Sequence, residues 1–310
     1  MNIKLLLSKL LLVYLLMPFG AFATDKPIRD VFVFGDSLSD TGNLASLPQY
    51  SYLNTPPFNH GFTNGLFAVE VLAKNLRLKV KPSLHLIGPP KGTNYAVAGA
   101  TAGSTGDPQI NLTSQVDAFL SYHGNSAPGN ALYIIFVGGN DVGDALNNPG
   151  VPVITNAVQA VDDNIRALIF AGARAILVVN VPDLGLTPRI RSLGTNVTNL
   201  ASTLTNEFNS DLLAHLNTIE KDLSIDIVSF DLYQLSHIVT DHSIGMGYTN
   251  STEACFDSTN FVYVNGCHSG ASFEDYFYFD DFHPTQVTHE RIGRALYSVV
   301  PELPEVPVPH

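Results

Sequence analysis

Three short segments join a glycine to polar side chains with chemical capability: Gly35-Asp36-Ser37, Gly99-Ala100-Thr101 and Gly139-Asn140-Asp141. Glycine permits a tight turn and lets backbone approach a substrate closely. A serine hydroxyl is a poor nucleophile unless a nearby base takes its proton, so Ser37 needs a partner from elsewhere in the chain. Ten histidines are available. None stands in a metal spacing such as His-Glu-x-x-His, and no P-loop or dinucleotide fingerprint occurs. The expectation is therefore no metal and no cofactor. Each segment alone also has a plainer reading. Ser37 would serve as a helix cap, Asn140 as an ordinary turn residue and Gly99 as a strand-end glycine.

The elements that must position these segments are legible as apolar runs. Residues 31–34 end at Gly35, residues 94–98 run into Gly99, and residues 131–137 stop at Gly138-Gly139-Asn140-Asp141. They read as buried strands, and residues 175–181 and 225–230 add two more, about five in all. Helical apolar spacing marks residues 67–76, 153–171 and 200–223, with Thr198 and Asn199 as candidate caps of the last. Pro284 opens a final helix through Tyr297. Residues 40–65 and 241–279 show no clear period. Strands alternating with helices argue for a three-layer α/β fold with a mainly parallel sheet. Such sheets bind ligands beyond the carboxyl ends of their strands, where all three polar segments fall. With no repeat and no separating linker, residues 24–300 are expected to form a single domain, followed by a Pro-rich tail over 301–310.

Longer runs carry a resemblance. Phe34-Gly35-Asp36-Ser37-Leu38-Ser39-Asp40-Thr41-Gly42-Asn43 is similar to the first block of the GDSL family of lipases, also called SGNH hydrolases. Residues 94–101 resemble the second block, Gly138-Gly139-Asn140-Asp141 the third, and Asp280-Asp281-Phe282-His283-Pro284 the last. The blocks stand in family order across residues 34–284. The likeness is nearest to the bacterial secreted phospholipase and lecithinase/haemolysin branch, including enzymes of the glycerophospholipid:cholesterol acyltransferase type. It implies a flavodoxin-like SGNH-hydrolase domain. By the same resemblance Ser37 is the nucleophile, His283 the base and Asp280 the acid member that holds the imidazole tautomer. Asp281 is a local competitor, set aside because the family pattern is Asp-x-x-His-Pro. The oxyanion hole would be formed by the backbone N–H groups of Ser37 and Gly99 and the side-chain amide of Asn140.

Composition limits the function classes. The chain has 310 residues, 45% hydrophobic and 14% charged, which excludes disorder as the main state. Sixteen Lys+Arg against 28 Asp+Glu give a formal charge of -12, arguing against a nucleic-acid partner. Lys4 and Lys9 precede an apolar stretch over residues 10–22, and Ala21-Phe22-Ala23 has the form of a signal-peptidase site. Residues 1–23 thus read as a secretory signal cleaved near Ala23/Thr24, giving a secreted or periplasmic protein without a transmembrane anchor. In that oxidising compartment Cys255 and Cys267 are expected to pair. The intervening loop, residues 256–266, is unusually apolar. It reads equally as a clip and as a cover for an acyl pocket or lipid-aggregate contact, and as an exposed loop it is also a candidate point of activating proteolysis. The leading expectation is a serine ester hydrolase acting on phospholipids or lysophospholipids, with a sterol as a further acyl acceptor. A carbohydrate O-acetyl esterase or short-chain arylesterase is the alternative enzyme. A catalytically inactive secreted binding protein is the alternative of another class.

Overall fold

The computed structural model describes residues 28–301 except 104, 269 and 270. The expected signal segment and all of the tail after Pro301 lie outside the described residues. Four strands, β1 (Asp30–Gly35), β2 (Ala131–Phe136), β3 (Ala175–Val179) and β4 (Ile227–Phe230), form one sheet in that order. All three pairings are parallel, with Phe32 opposite Tyr133, Tyr133 opposite Ile176 and Ile176 opposite Ile227. β1 to β3 are almost wholly buried, which explains their continuous apolar sequences: both faces of the sheet are covered.

Alternation along the strands sorts side chains into two cores. Phe34, Tyr133, Ile135 and Val178 face one cluster, completed by α2 (Leu112–Tyr122), α4 (Val153–Ala171) and α6 (Thr195–Leu223). Val33, Ile134, Phe136 and Leu177 face the other. There they meet α1 (Ala68–Asn75), Leu232 of α7 (Leu232–Asp241) and α8 (Gln286–Tyr297). The result is the three-layer α/β arrangement expected from the sequence, a period of two on the strands and 3.6 on the helices.

The sheet has four strands rather than about five. Residues 94–98 run beside β1 and donate the Tyr95 N–H to Val33 O at 2.7 Å and the Val97 N–H to Gly35 O at 3.0 Å. They make only isolated bridges, Asn94 to Val33 on one side and to Pro82 on the other, because the Gly35 N–H that would extend the ladder with β1 is donated to the Gln115 side chain instead. The Asn43 amide donates to the carbonyls of Asn94 and Ala96, both at 2.8 Å. One strand-like segment is thus capped by an asparagine. Elsewhere α6 begins at Thr195, ahead of both candidate caps, and α8 begins at Gln286 with Thr285 as its N-cap instead of at Pro284.

The segments without a clear period have structure of their own. Residues 44–54 form two short 3₁₀ turns. β5 (Asn250–Ala254) pairs in parallel with β8 (Tyr276–Tyr278), and between them β6 (Phe256–Asp257) and β7 (Val262–Tyr263) make a small antiparallel hairpin. A disulfide joins Cys255 to Cys267, with Cα atoms 5.2 Å apart. Both cysteines and Phe256 pack with Leu53, Phe58 and Phe279 in a third apolar cluster. Among the described residues no helix is long and apolar enough to cross a membrane.

Candidate active site

The carboxyl end of β1 delivers Ser37 through a turn that only glycine can make. A Cβ on Gly35 would lie 2.2 Å from the carbonyl oxygen of Phe136 on the neighbouring strand. Gln115 of α2 holds the same glycine from its other side, accepting its N–H and donating to its carbonyl, each at 2.8 Å. β8 delivers the second part of the site. It ends at Tyr278, and Asp280 and His283 stand in the turn before α8. Asp280 is buried, and one of its oxygens accepts the Phe282 and His283 backbone N–H groups at 3.0 and 2.8 Å. This clamp closes the turn and turns the imidazole back on the carboxylate.

The two parts meet although 246 residues separate them. His283 Nδ1 lies 2.7 and 3.0 Å from the two oxygens of Asp280, and His283 Nε2 lies 2.8 Å from Ser37 Oγ. A carboxylate can only accept, so Nδ1 carries the proton and Nε2 is the acceptor for the Ser37 hydroxyl. Phe62 stacks on the imidazole with ring centroids 4.7 Å apart. Asp281 is not part of this relay. It is exposed, and its backbone carbonyl accepts the Arg189 N–H at 3.0 Å.

Gly99 and Asn140 arrive beside Ser37 on the ends of the next two apolar runs, and all three line one cleft of about 580 Å³. Gly99 has φ +86°, a conformation that favours glycine. Asn140 belongs to the first turn of α3 (Gly139–Asn147), and its Nδ2 donates to the Ala100 carbonyl at 2.7 Å. Among the described residues neither the Ser37 nor the Gly99 backbone N–H has an acceptor. Their neighbours do. Asp40 accepts the Ala98 N–H at 2.9 Å, and Asp141 accepts those of Ala102 and Gly103 at 2.8 and 3.0 Å. Two buried carboxylates therefore grip the backbone on either side of Gly99.

Burial dominates the electrostatics. It pushes the Asp36 carboxyl up to about 7, against smaller downward pulls from the Leu38 N–H and the charge of His283. It pushes Asp141 up to about 6 despite the two N–H bonds, and raises Asp40 as well. Among the described residues no group of three or more His, Cys, Asp or Glu side chains has the geometry to hold a metal ion.

Sequence reasoning singled out Ser37, Gly99, Asn140, Asp280 and His283, and the fold brings all but Asp280 to line one cleft, with Asp280 buried behind His283. It gave no role to Phe62, Gln115 or Arg189, which no local pattern marks. Asp40 and Asp141 sit inside the family-like blocks, but their function depends on backbone brought from 38 or more residues away. The Cys255–Cys267 loop supplies none of the described cleft-lining residues. Phe256 is buried against Phe58 and Phe279, whereas Phe261 and Val262 are about half exposed, Phe261 lying edge-on to Tyr52 and Phe58.

A parallel α/β sheet with a Ser–His–Asp relay at its carboxyl edge has the form of a serine hydrolase. Residues 31–296 match the family model of GDSL-like lipases/acylhydrolases, and the chain belongs to that esterase/lipase family. It is 34% identical over 180 residues to Lipase 1 of Photorhabdus luminescens, covering 57% of this chain and 26% of that protein. It is 27% identical over 284 residues to the thermolabile hemolysin of Vibrio parahaemolyticus, covering 87% of this chain and 63% of that one. This chain thus spans less than two thirds of either relative. Among solved structures, the M. smegmatis aryl esterase aligns at TM-score 0.45 and 15% identity, over 87% of this chain and 97% of that one.

Proposed function

We propose that this protein is a secreted serine esterase, a single domain over residues 24–300, that cleaves acyl esters of phospholipids or lysophospholipids. Ser37 is the nucleophile in this reading. His283 Nε2 takes the hydroxyl proton as Oγ bonds to the ester carbonyl carbon, and the carbonyl π electrons move onto oxygen. The Ser37 and Gly99 N–H groups and the Asn140 amide donate to that oxygen, each worth about 2.7–4 kcal/mol in the transition state. Collapse returns the electron pair, breaks the bond to the leaving alkoxide, and sends the His283 proton to it. Water then repeats the sequence on the acyl-serine. A sterol hydroxyl reaching the same intermediate gives acyl transfer instead. Asp280 holds the tautomer throughout.

The observation that carries this reading is the unbroken Ser37–His283–Asp280 hydrogen-bond relay opening on a largely apolar cleft. Leu146, Val181, Leu184, Ile190 and Leu193 supply its apolar wall, a surface suited to an acyl chain. Nicking within residues 256–266 is the proposed activating event, supported by the exposure of Phe261 and Val262 and by the disulfide that would retain both ends. The test is a fluorophosphonate label together with a substrate panel. Stoichiometric modification of Ser37 is expected, and an unlabelled folded protein would favour an inactive binding module. On lysophosphatidylcholine, phosphatidylcholine with and without cholesterol, and a short acetyl ester, the lipids should be the better substrates. A strong preference for the acetyl ester would move the protein to the carbohydrate-esterase or arylesterase class.

A further inference from the structure

The cleft of this acidic chain carries a single Lys or Arg side chain among its described lining residues, Arg189. Its place is fixed from the backbone. Arg189 is in the short helix α5 (Pro188–Arg191), and its N–H donates to Asp281 O at 3.0 Å, tying it to the segment that holds Asp280 and His283. The next residue, Ile190, is buried in the wall, whereas Arg189 is exposed at the rim. Among the described residues no carboxylate lies within 4.0 Å of its guanidinium and that group makes no hydrogen bond, although its charge reaches the Asp281 carboxyl and lowers it against the upward push of burial. Arg29, Arg77 and Arg191 are similarly without ion pairs, but only Arg189 faces the cleft.

A guanidinium presents five N–H donors in a planar fork that matches two phosphate oxygens, and such charge-assisted pairs are the strong ones. A neutral glyceride offers it no anion. At the rim the phosphate stays partly hydrated, so it is not forced to lose its water, while the acyl chain passes inward along Ile190 and Leu193. We propose that Arg189 binds the phosphodiester of the substrate and makes the cleft selective for lysophospholipids over neutral monoacylglycerols. This inference rests on the esterase reading above and assigns its head-group selectivity to one residue.

The test compares two monomeric substrates with the same acyl chain, lauroyl lysophosphatidylcholine and monolauroylglycerol, on the wild-type protein, Arg189→Ala and Arg189→Lys. Arg189→Ala should lower kcat/KM on the lysophospholipid about tenfold or more, mainly through KM, as loss of a charged hydrogen-bond pair requires. Turnover of monolauroylglycerol should stay within about twofold, because that substrate makes no ionic contact. Arg189→Lys should restore part of the loss, keeping the charge without the fork. Every one of these substitutions retains the backbone N–H to Asp281. Equal losses on both substrates would overturn the proposal and make Arg189 a support for the Asp280–His283 turn. Wild-type turnover of monolauroylglycerol at least equal to that of the lysophospholipid would also overturn it, leaving the esterase intact. Failure of the wild-type protein on every ester would instead remove the esterase reading beneath it.

Discussion

Asp36, one residue before Ser37, gives a pH dependence of stability whose sign and size follow from its burial. The carboxyl is 3% exposed and titrates near 7 instead of 3.8, chiefly because burial penalises its charge. Below pH 3.8 it is protonated in both folded and unfolded chains and contributes no slope. Between 3.8 and about 7 the unfolded chain loses the proton first, so rising pH destabilises the fold. Above about 7 both states are ionised and the slope ends. A carboxyl raised from 3.8 to about 7 makes this window worth about 4 kcal/mol. Asp36→Asn abolishes the titration, and its amide oxygen can still accept the Leu38 N–H, now 3.0 Å from Asp36 Oδ1. Any fixed cost of the substitution cancels when the difference between variant and wild type is compared at two pH values. Denaturant unfolding at about pH 4 and about pH 8 should therefore show the variant gaining about 4 kcal/mol relative to wild type on going from the first to the second. A difference constant within about 1 kcal/mol would refute the reasoning, because a carboxyl titrating that far above its ordinary range must contribute several times as much.

Ser37→Ala and His283→Ala should each abolish ester hydrolysis by several orders of magnitude with an unchanged melting temperature, and the double variant should lose little more, because a relay acts as a unit. Retention of near wild-type turnover by Ser37→Ala would dismiss the proposed mechanism. Asn140→Ala should reduce kcat by about 100- to 1,000-fold with KM nearly unchanged, as removal of one oxyanion donor does; a fall confined to KM would place that amide elsewhere. Gly35→Ala forces a Cβ to 2.2 Å from a strand carbonyl and should destabilise the fold by about 3 kcal/mol or more in urea. Cys255→Ser with Cys267→Ser should lower stability by about 3 kcal/mol, the loop-closure value for this separation. Their effect on a short soluble ester should be smaller than on long-chain lipid, and equal effects would mark the loop as a clip only.

The sequence by itself located three of the buried strands and the residues at their ends. Residues 31–34, 131–137 and 175–179 are apolar without interruption because both faces of a parallel strand are buried, and that pattern needs no tertiary information to read. Gly35 before Ser37 and Asp280 three residues before His283 are likewise local, since a turn fixes what neighbours can touch. Only the folded chain decided the rest. Residues 94–98 have strand composition, yet Gln115 from α2 takes the Gly35 N–H that a continuous fifth strand beside β1 would need. The family pattern prefers Asp280 to Asp281, but the physical reason is tertiary: one oxygen of Asp280 accepts the Phe282 and His283 N–H groups, which holds its carboxylate on the imidazole. Asp40 and Asp141 close on Ala98, Ala102 and Gly103, and Phe62 lies on His283, through contacts that no spacing encodes. Apolar periodicity reports which face of an element is buried, because that depends on the element's own geometry. A polar side chain's partner depends on where the remainder of the chain passes, and packing alone sets that path.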